Sequence, residues 1–197
     1  MPKPSLTVAI LAGGAASRLG GRDKGLEAVD GKPLIARARA YGERIARDVD
    51  FLIIANRHLD DYARYGRVRA DAIEGFRGPL AGVASALEGA ETDHVLTLPV
   101  DCPSPPEDLA ARLLDALGDR DAVVAHDGER RQPLFALYRR ALAASASNAA
   151  ASGQGVWEWQ DSVGAVEVDF ADRRQQFHNL NTPDEFAAYA DAVRQLD

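Results

Sequence analysis

Behind the apolar run at positions 8–12, the segment LAGGAASRLGGRDKG (11–25) sets Gly13 and Gly14, followed by Arg18, Arg22 and Lys24. Such a set suits the grip of a nucleoside triphosphate. Adjacent glycines let backbone amides approach phosphate oxygens with no Cβ in the way. Arginine makes forked contacts with those oxygens, and lysine adds a movable point charge. Neither of two familiar phosphate signatures is present: there is no GxGxxG, and Lys24 runs into Gly25 without the spacing of GxxxxGK[ST]. A glycine pair alone would be explained by a tight turn, so the cations are what point to phosphate.

Other polar residues close apolar runs. Asn56 follows 51–55, Asp71 ends the shorter run 68–71, and Asp101 follows 95–100. A carboxylate set between a buried strand and Cys102-Pro103 is poorly explained as a solvated charge. It suits Mg²⁺, which is commonly held by one or two carboxylates together with substrate phosphates and water. Capping of local amides is the plainer role for Asp101, and a turn residue the plainer one for Asp71. Cys102 has no neighbouring base and reads as a packing thiol. The histidines at 58, 94, 126 and 178 lack metal-ligand spacing. Trp157 and Trp159 flank Glu158 at strand-like spacing, which suggests packing. The charged stretch His126–Arg131 is open to two readings, a contact for a second substrate or a hairpin turn.

Strand and helix patterns alternate along the chain. Strands are expected at 8–12, 51–55, 68–71 and 95–100, then at 122–125, 134–138 and 164–170. Helices are expected at 35–45, from 78 to about 89, from 106 with carboxylates in its first turn, at 141–151, and from 182 with a threonine cap. Strands too apolar to have a wet face imply a doubly wound α/β fold, a mostly parallel sheet with helices on both faces in three α/β/α layers. Parallel strands share one C-terminal edge, where ligands of open α/β sheets bind. Gly13, Asn56, Asp71 and Asp101 converge there.

A length of 197 residues with 46% hydrophobic content fits one domain, 1–197. A net charge of −7 argues against a nucleic-acid surface. No apolar run nears the ~20 residues that cross a bilayer. With one cysteine and no signal-peptide pattern before the first strand, the expected compartment is the cytoplasm.

Taken in order, LAGGAASRLGGRDKGL, NRH, GPLAG, LPVDCP with PEDLAARL, HDGERRQP and VDFADRRQQFHNLNTPDEF resemble the molybdenum cofactor guanylyltransferase family over nearly the whole chain. The first motif is shared by many nucleotidyltransferases; HDGER and the NLNTP tail narrow it. The resemblance implies a Rossmann-like nucleotidyltransferase fold and transfer of GMP from Mg-GTP to molybdenum-molybdopterin, giving the guanine dinucleotide form and pyrophosphate. It implies that Leu11, Ala12 and Gly13 hold the nucleotide through backbone groups. Lys24 would then reach the phosphates, Asp71 the nucleoside, and Asp101 the Mg²⁺ of GTP. Arg18 and Gly14 take phosphate roles, Gly82 shapes the base pocket beside Asn56, and Asn179 and Asn181 line the acceptor side. Residues 1–105 form mainly the nucleotide half and 106–197 mainly the acceptor half. Other molybdenum cofactor biosynthesis proteins and molybdoenzyme chaperones are the partners it implies. One departure stands out: Ile54 occupies a position where family members often carry Asn.

The implied chemistry is in-line attack by the acceptor's terminal phosphate on the α-phosphorus. Mg²⁺, Lys24 and Arg18 balance the charge of the departing pyrophosphate, with no covalent intermediate. Alternatives are a molybdopterin cytidylyltransferase, a related nucleotidyltransferase with another acceptor, and a non-catalytic nucleotide- or cofactor-binding protein.

Overall fold

The computed structural model describes residues 6–13, 23–71 and 78–195. Strand β1 (Leu6–Leu11) is buried along its whole length and alternates between two cores. Leu6, Val8 and Ile10 enter one cluster, Ala9 and Leu11 the other. β4 (Val49–Ile54) repeats the pattern, with Phe51 and Ile53 on the first face and Leu52 and Ile54 on the second. Such strands need cover on both faces, which parallel sheets obtain from crossover helices.

The seven-stranded order is β5-β4-β1-β6-β8-β7-β9, with β5 Arg67–Arg69, β6 His94–Pro99, β7 Ala122–His126, β8 Arg131–Arg139 and β9 Val166–Asp169. β1 runs parallel to β4 and β6, and β4 to β5. β8 is antiparallel to both β6 and β7, so β7, and β9 beside it, point the same way as β6. Six strands therefore open at one edge. A separate two-stranded hairpin, β2 (Ala28–Val29) and β3 (Lys32–Pro33), turns through Asp30 and Gly31, both at positive φ.

The first core is covered by α1 (Leu34–Ile45), α4 (Leu109–Leu117) and the single turn α2 (Leu59–Tyr62), with α7 (Pro183–Arg194) packed on it through Phe186, Tyr189 and Ala190. The second lies under α3 (Pro79–Gly89), α5 (Ala143–Ala151) and α6 (Val156–Ser162). The result is the expected three-layer α/β/α arrangement. Pro79 opens α3, and Thr182 caps α7 in a full capping box with Glu185. No helix among the described residues is long and apolar enough to cross a membrane.

Local expectations are corrected in four places. Trp157 and Trp159 belong to helix α6; at that spacing they diverge, so Trp159 is buried and Trp157 exposed. Helix α4 starts at Leu109, with Glu107 and Asp108 ahead of its first turn. Pro106 holds the chain back, its carbonyl accepting from the Leu109 amide at 3.0 Å and the Tyr41 hydroxyl at 2.6 Å. β8 begins at Arg131, because the hairpin ladder continues past a register shift at Val124/Ala125 into polar residues. β9 is shorter than 164–170.

The fit of α1 on the sheet rests on Gly42. A Cβ there would lie 2.6 Å from Phe51 Cε1 and 3.4 Å from Val8 Cγ1. Alanine in a helix interior normally gains up to ~1 kcal/mol over glycine, but overpacking costs about 1–3 kcal/mol. Gly42→Ala is therefore expected to destabilise the protein by up to about 2 kcal/mol, read as a lower urea midpoint at unchanged m-value.

Candidate active site

Two clusters sit at the open edge. At the ends of β4 and β5, Asn56 and Asp71 bind each other reciprocally. Asn56 Nδ2 donates to Asp71 Oδ2 at 2.7 Å, and the Asp71 amide donates to Asn56 Oδ1 at 2.8 Å. This ring fixes both side chains and leaves Asp71 Oδ1 buried with no partner among the described residues. Gly13, at the end of β1, faces the pair: a Cβ on it would lie 3.6 Å from Asn56 Nδ2 and 3.7 Å from Asp71 Oδ2. Gly82, in the first turn of α3, is the opposite wall, with Leu11 Cδ2, Asp71 Oδ1 and Ile54 Cγ2 at 3.7–4.0 Å from its Cβ position. Ile54 is buried in the second core. Where an Asn would offer an amide, this slot has an apolar floor.

The second cluster spans distant parts of the chain. Lys24 Nζ donates to Asp101 Oδ2 and to Asn181 Oδ1, both at 2.8 Å. Lys24 projects from a 3₁₀ turn, Lys24–Leu26, capped by Asp23, whose Oδ1 accepts from the Gly25 amide at 3.1 Å. The fully buried Tyr62 donates its hydroxyl to the same oxygen at 2.5 Å, and a Cβ on Gly25 would overlap that hydroxyl. Burial, reinforced by the Asp23 carboxylate, pushes the Tyr62 hydroxyl far above its usual range, so it stays a donor. On the other side, the Leu180 amide donates to the Asp101 carbonyl at 2.8 Å. Glu185 Oε2 accepts from the Asn181 and Thr182 amides at 2.6 and 2.8 Å. Those amides hold the Glu185 carboxyl below the ordinary carboxylate range. Asn179 Oδ1 is buried with no partner among the described residues.

The structure thus brings Gly13, Asn56, Asp71 and Gly82 together, and Lys24, Asp101 and Asn181 together, with Asn179 adjoining. The Leu11 carbonyl and Ala12 amide are spent in the sheet, on the Val100 amide at 3.1 Å and the Ile54 carbonyl at 2.9 Å. Among the described residues, no backbone hydrogen bond engages the Ala12 carbonyl or the Gly13 amide. Gly14, Arg18 and Arg22 lie outside the described residues. Burial pushes the Cys102 thiol up to about 12, and its Sγ donates to the Gln176 carbonyl, which fits a packing residue. Among the described residues no three His, Cys, Asp or Glu side chains gather as a metal cage. Reasoning from sequence missed Asp23, Tyr62 and Glu185, which hold the ammonium and its amide partner in place. An acid between Arg22 and Lys24 was the visible signal for Asp23; Tyr62 had none.

Residues 8–166 match the family model of the MobA-like NTP transferase domain. The chain is 41% identical over 192 residues to a molybdenum cofactor guanylyltransferase of Vibrio vulnificus (strain YJ016), covering 96% of this chain and 97% of that protein. It is 40% identical over 182 residues to one from Mannheimia succiniciproducens, covering 90% and 94%. The crystal structure of molybdopterin-guanine dinucleotide biosynthesis protein A from Archaeoglobus fulgidus superposes with a TM-score of 0.76 at 20% identity, over 96% of this chain and 99% of that one. That likeness carries the fold.

Removing the Tyr62 hydroxyl leaves Asp23 short of a donor in a partly buried place, a loss of about 1.5–3 kcal/mol for a hydrogen bond to a charged group. Tyr62→Phe is expected to lower stability by that amount in urea titration. It is also expected to weaken nucleoside triphosphate binding several-fold by calorimetry, because the turn that aims Lys24 loosens.

Proposed function

Because the chain belongs to the MobA-like NTP transferase family, we propose that it transfers GMP from GTP to the terminal phosphate of molybdenum-molybdopterin, releasing pyrophosphate. The observation that carries this reading is Lys24 held between Asp101 and Asn181, beside the Gly13 slot, at one sheet edge. The slot takes the nucleoside. A buried carboxylate oxygen with no donor among the described residues suits the N1–H and 2-amino groups of guanine; cytosine offers only its 4-amino group beside ring acceptors. The Ile54 floor leaves polar recognition there to Asp71 and Asn56.

The triphosphate would then lie across the ends of β1 and β6, within reach of Lys24. A terminal phosphate is already largely ionised at neutral pH, so the attack on the α-phosphorus needs no strong general base. The α-phosphorus–oxygen bond to pyrophosphate breaks as the new one forms, and the ammonium of Lys24 meets the charge growing on the leaving group. Gly14 and Arg18 complete the phosphate cradle in this reading, and Asn179 and Asn181 hold the incoming phosphate.

One carboxylate fits a cation that arrives with the nucleotide, since Mg²⁺ takes few protein ligands and fills its shell from phosphates and water. Asp101 would hold it, with Lys24 ceding the Oδ2 that it now occupies. When bound, Mg²⁺ supplies further neutralisation of phosphate charge.

Incubation with each of the four nucleoside triphosphates, Mg²⁺ and molybdenum-loaded molybdopterin is expected to release pyrophosphate from GTP alone. CTP-specific release, or none, would overturn the reading. Asp101→Ala and Lys24→Ala are each expected to cut turnover by about 10²–10³-fold, with Lys24→Ala retaining part of its GTP affinity.

A further inference from the structure

The three stretches of chain that meet at the Lys24 ammonium meet a second time, at Tyr189 on α7. Its hydroxyl shares a hydrogen bond with the hydroxyl of Ser104 at 2.8 Å, in the loop that follows Asp101. The guanidinium of Arg37 lies over its ring, 5.6 Å from the centroid. Arg37 Nη2 in turn donates to the Val29 carbonyl at 2.6 Å, in the strand β2 that follows the Lys24 turn. One ring thus ties α7 to the loop after Asp101 directly, and to the hairpin after Lys24 through Arg37.

The packing of α7 makes such ties matter. The helix buries none of its residues completely, and it meets the first core through Phe186, Tyr189 and Ala190. So shallow a contact lacks the interlocking that fixes a helix about its own axis. Yet its N-terminus carries one side of the site, because Glu185 Oε2 holds the Asn181 and Thr182 amides. Tyr189 stands four residues after Glu185, one turn on and along the same face. Holding Tyr189 therefore sets the direction of Glu185, and with it where Asn181 meets Lys24 Nζ.

We propose that Tyr189, gripped by Ser104 and Arg37, is a positioning residue for Lys24: it sets α7 so that Asn181 holds the ammonium beside Asp101. It acts through Asn181 rather than on a reacting atom. For its effect on turnover this rests on the guanylyl-transfer reading; for its effect on the ammonium it rests on the contacts alone. A purely stabilising role fits the pair poorly, since the Ser104 bond is open to water and such a bond has a small net worth.

Tyr189→Phe removes the hydroxyl and keeps the ring against Arg37, and Ser104→Ala removes the other half of the bond. Both are expected to fold as the parent does, with a urea midpoint close to its own. The chain has three lysines, at positions 3, 24 and 32, so the Lys24 ammonium can be followed by NMR on protein with isotope-labelled lysine and assigned with Lys24→Ala. Without nucleotide, its proton signal is expected to be sharp in the parent and several-fold broader in both variants. In the pyrophosphate assay each variant is expected to lower kcat about 10-fold, within the ~10²-fold that misplacement by about 1 Å can cost, and to lower GTP affinity less. On a Lys24→Ala background Tyr189→Phe is expected to cost nothing more, because the group it positions is gone. An ammonium signal unchanged in both variants, or a turnover loss that multiplies with that of Lys24→Ala, would overturn the proposal and leave guanylyl transfer standing. An ammonium that depends on Tyr189 in a protein that releases no pyrophosphate would uphold the positioning and overturn the reaction instead.

Discussion

The ammonium of Lys24 is the joint on which the site depends. It is bonded to Asp101, from the end of a central strand, and to Asn181, from the C-terminal strap, so three remote parts of the chain meet at one charge. Each partner is held from behind. Asp23 and Tyr62 fix the turn that carries the lysine, Leu180 binds the backbone of Asp101, and Glu185 binds the amide of Asn181. A long flexible side chain gives up much rotamer freedom to sit still. The surrounding hydrogen bonds offset that loss before any nucleotide arrives, which is what preorganisation toward developing charge requires.

Where that joint can exist is decided by the sheet. In the central strands β1, β4 and β6, buried on both faces, the charged side chains stand at or near the ends, and six strands that point one way bring those ends to a single edge. The antiparallel β8 matters for the same reason. By crossing back between β6 and β7 it restores the common direction of β7 and β9, so the hairpin tip and the strap from β9 open beside Asp101. A sheet with β7 reversed would place HDGER on the far side of the molecule.

Much of this was legible in the residues. Runs such as 51–55 and 95–100 have only one stable setting, and Gly13, Asn56, Asp71 and Asp101 follow such runs directly, so the edge and its polar set could be read. Long-range partnerships could not. Nothing local in Leu59–Tyr62 says that its tyrosine reaches Asp23, 39 residues earlier, and nothing in NLNTP says that Asn181 bonds a lysine 157 residues away. The tryptophans misled because spacing of two satisfies a strand or a short helix that buries only one ring. The carboxylates at 107 and 108 misled because Pro106 takes the chain through an extra turn before α4 begins.

The charge balance explains why the ammonium needs an acid when no substrate is present. The chain carries a net −7, yet the proposed reaction brings together two phosphate-bearing molecules. At physiological ionic strength fields fade over about 8 Å, so the overall excess of acid matters less than what lies next to the phosphates. A lone cation there would gather any passing anion. Paired with Asp101, Lys24 presents little net charge until something displaces the pair. A triphosphate with its divalent cation can do so by compensating both partners at once, cation to carboxylate and phosphate to ammonium. A free monophosphate compensates only the lysine and leaves the partly buried carboxylate alone, a costly state. On the proposed reading, the pair would therefore select for metal-bound polyphosphate through the charges it would otherwise strand.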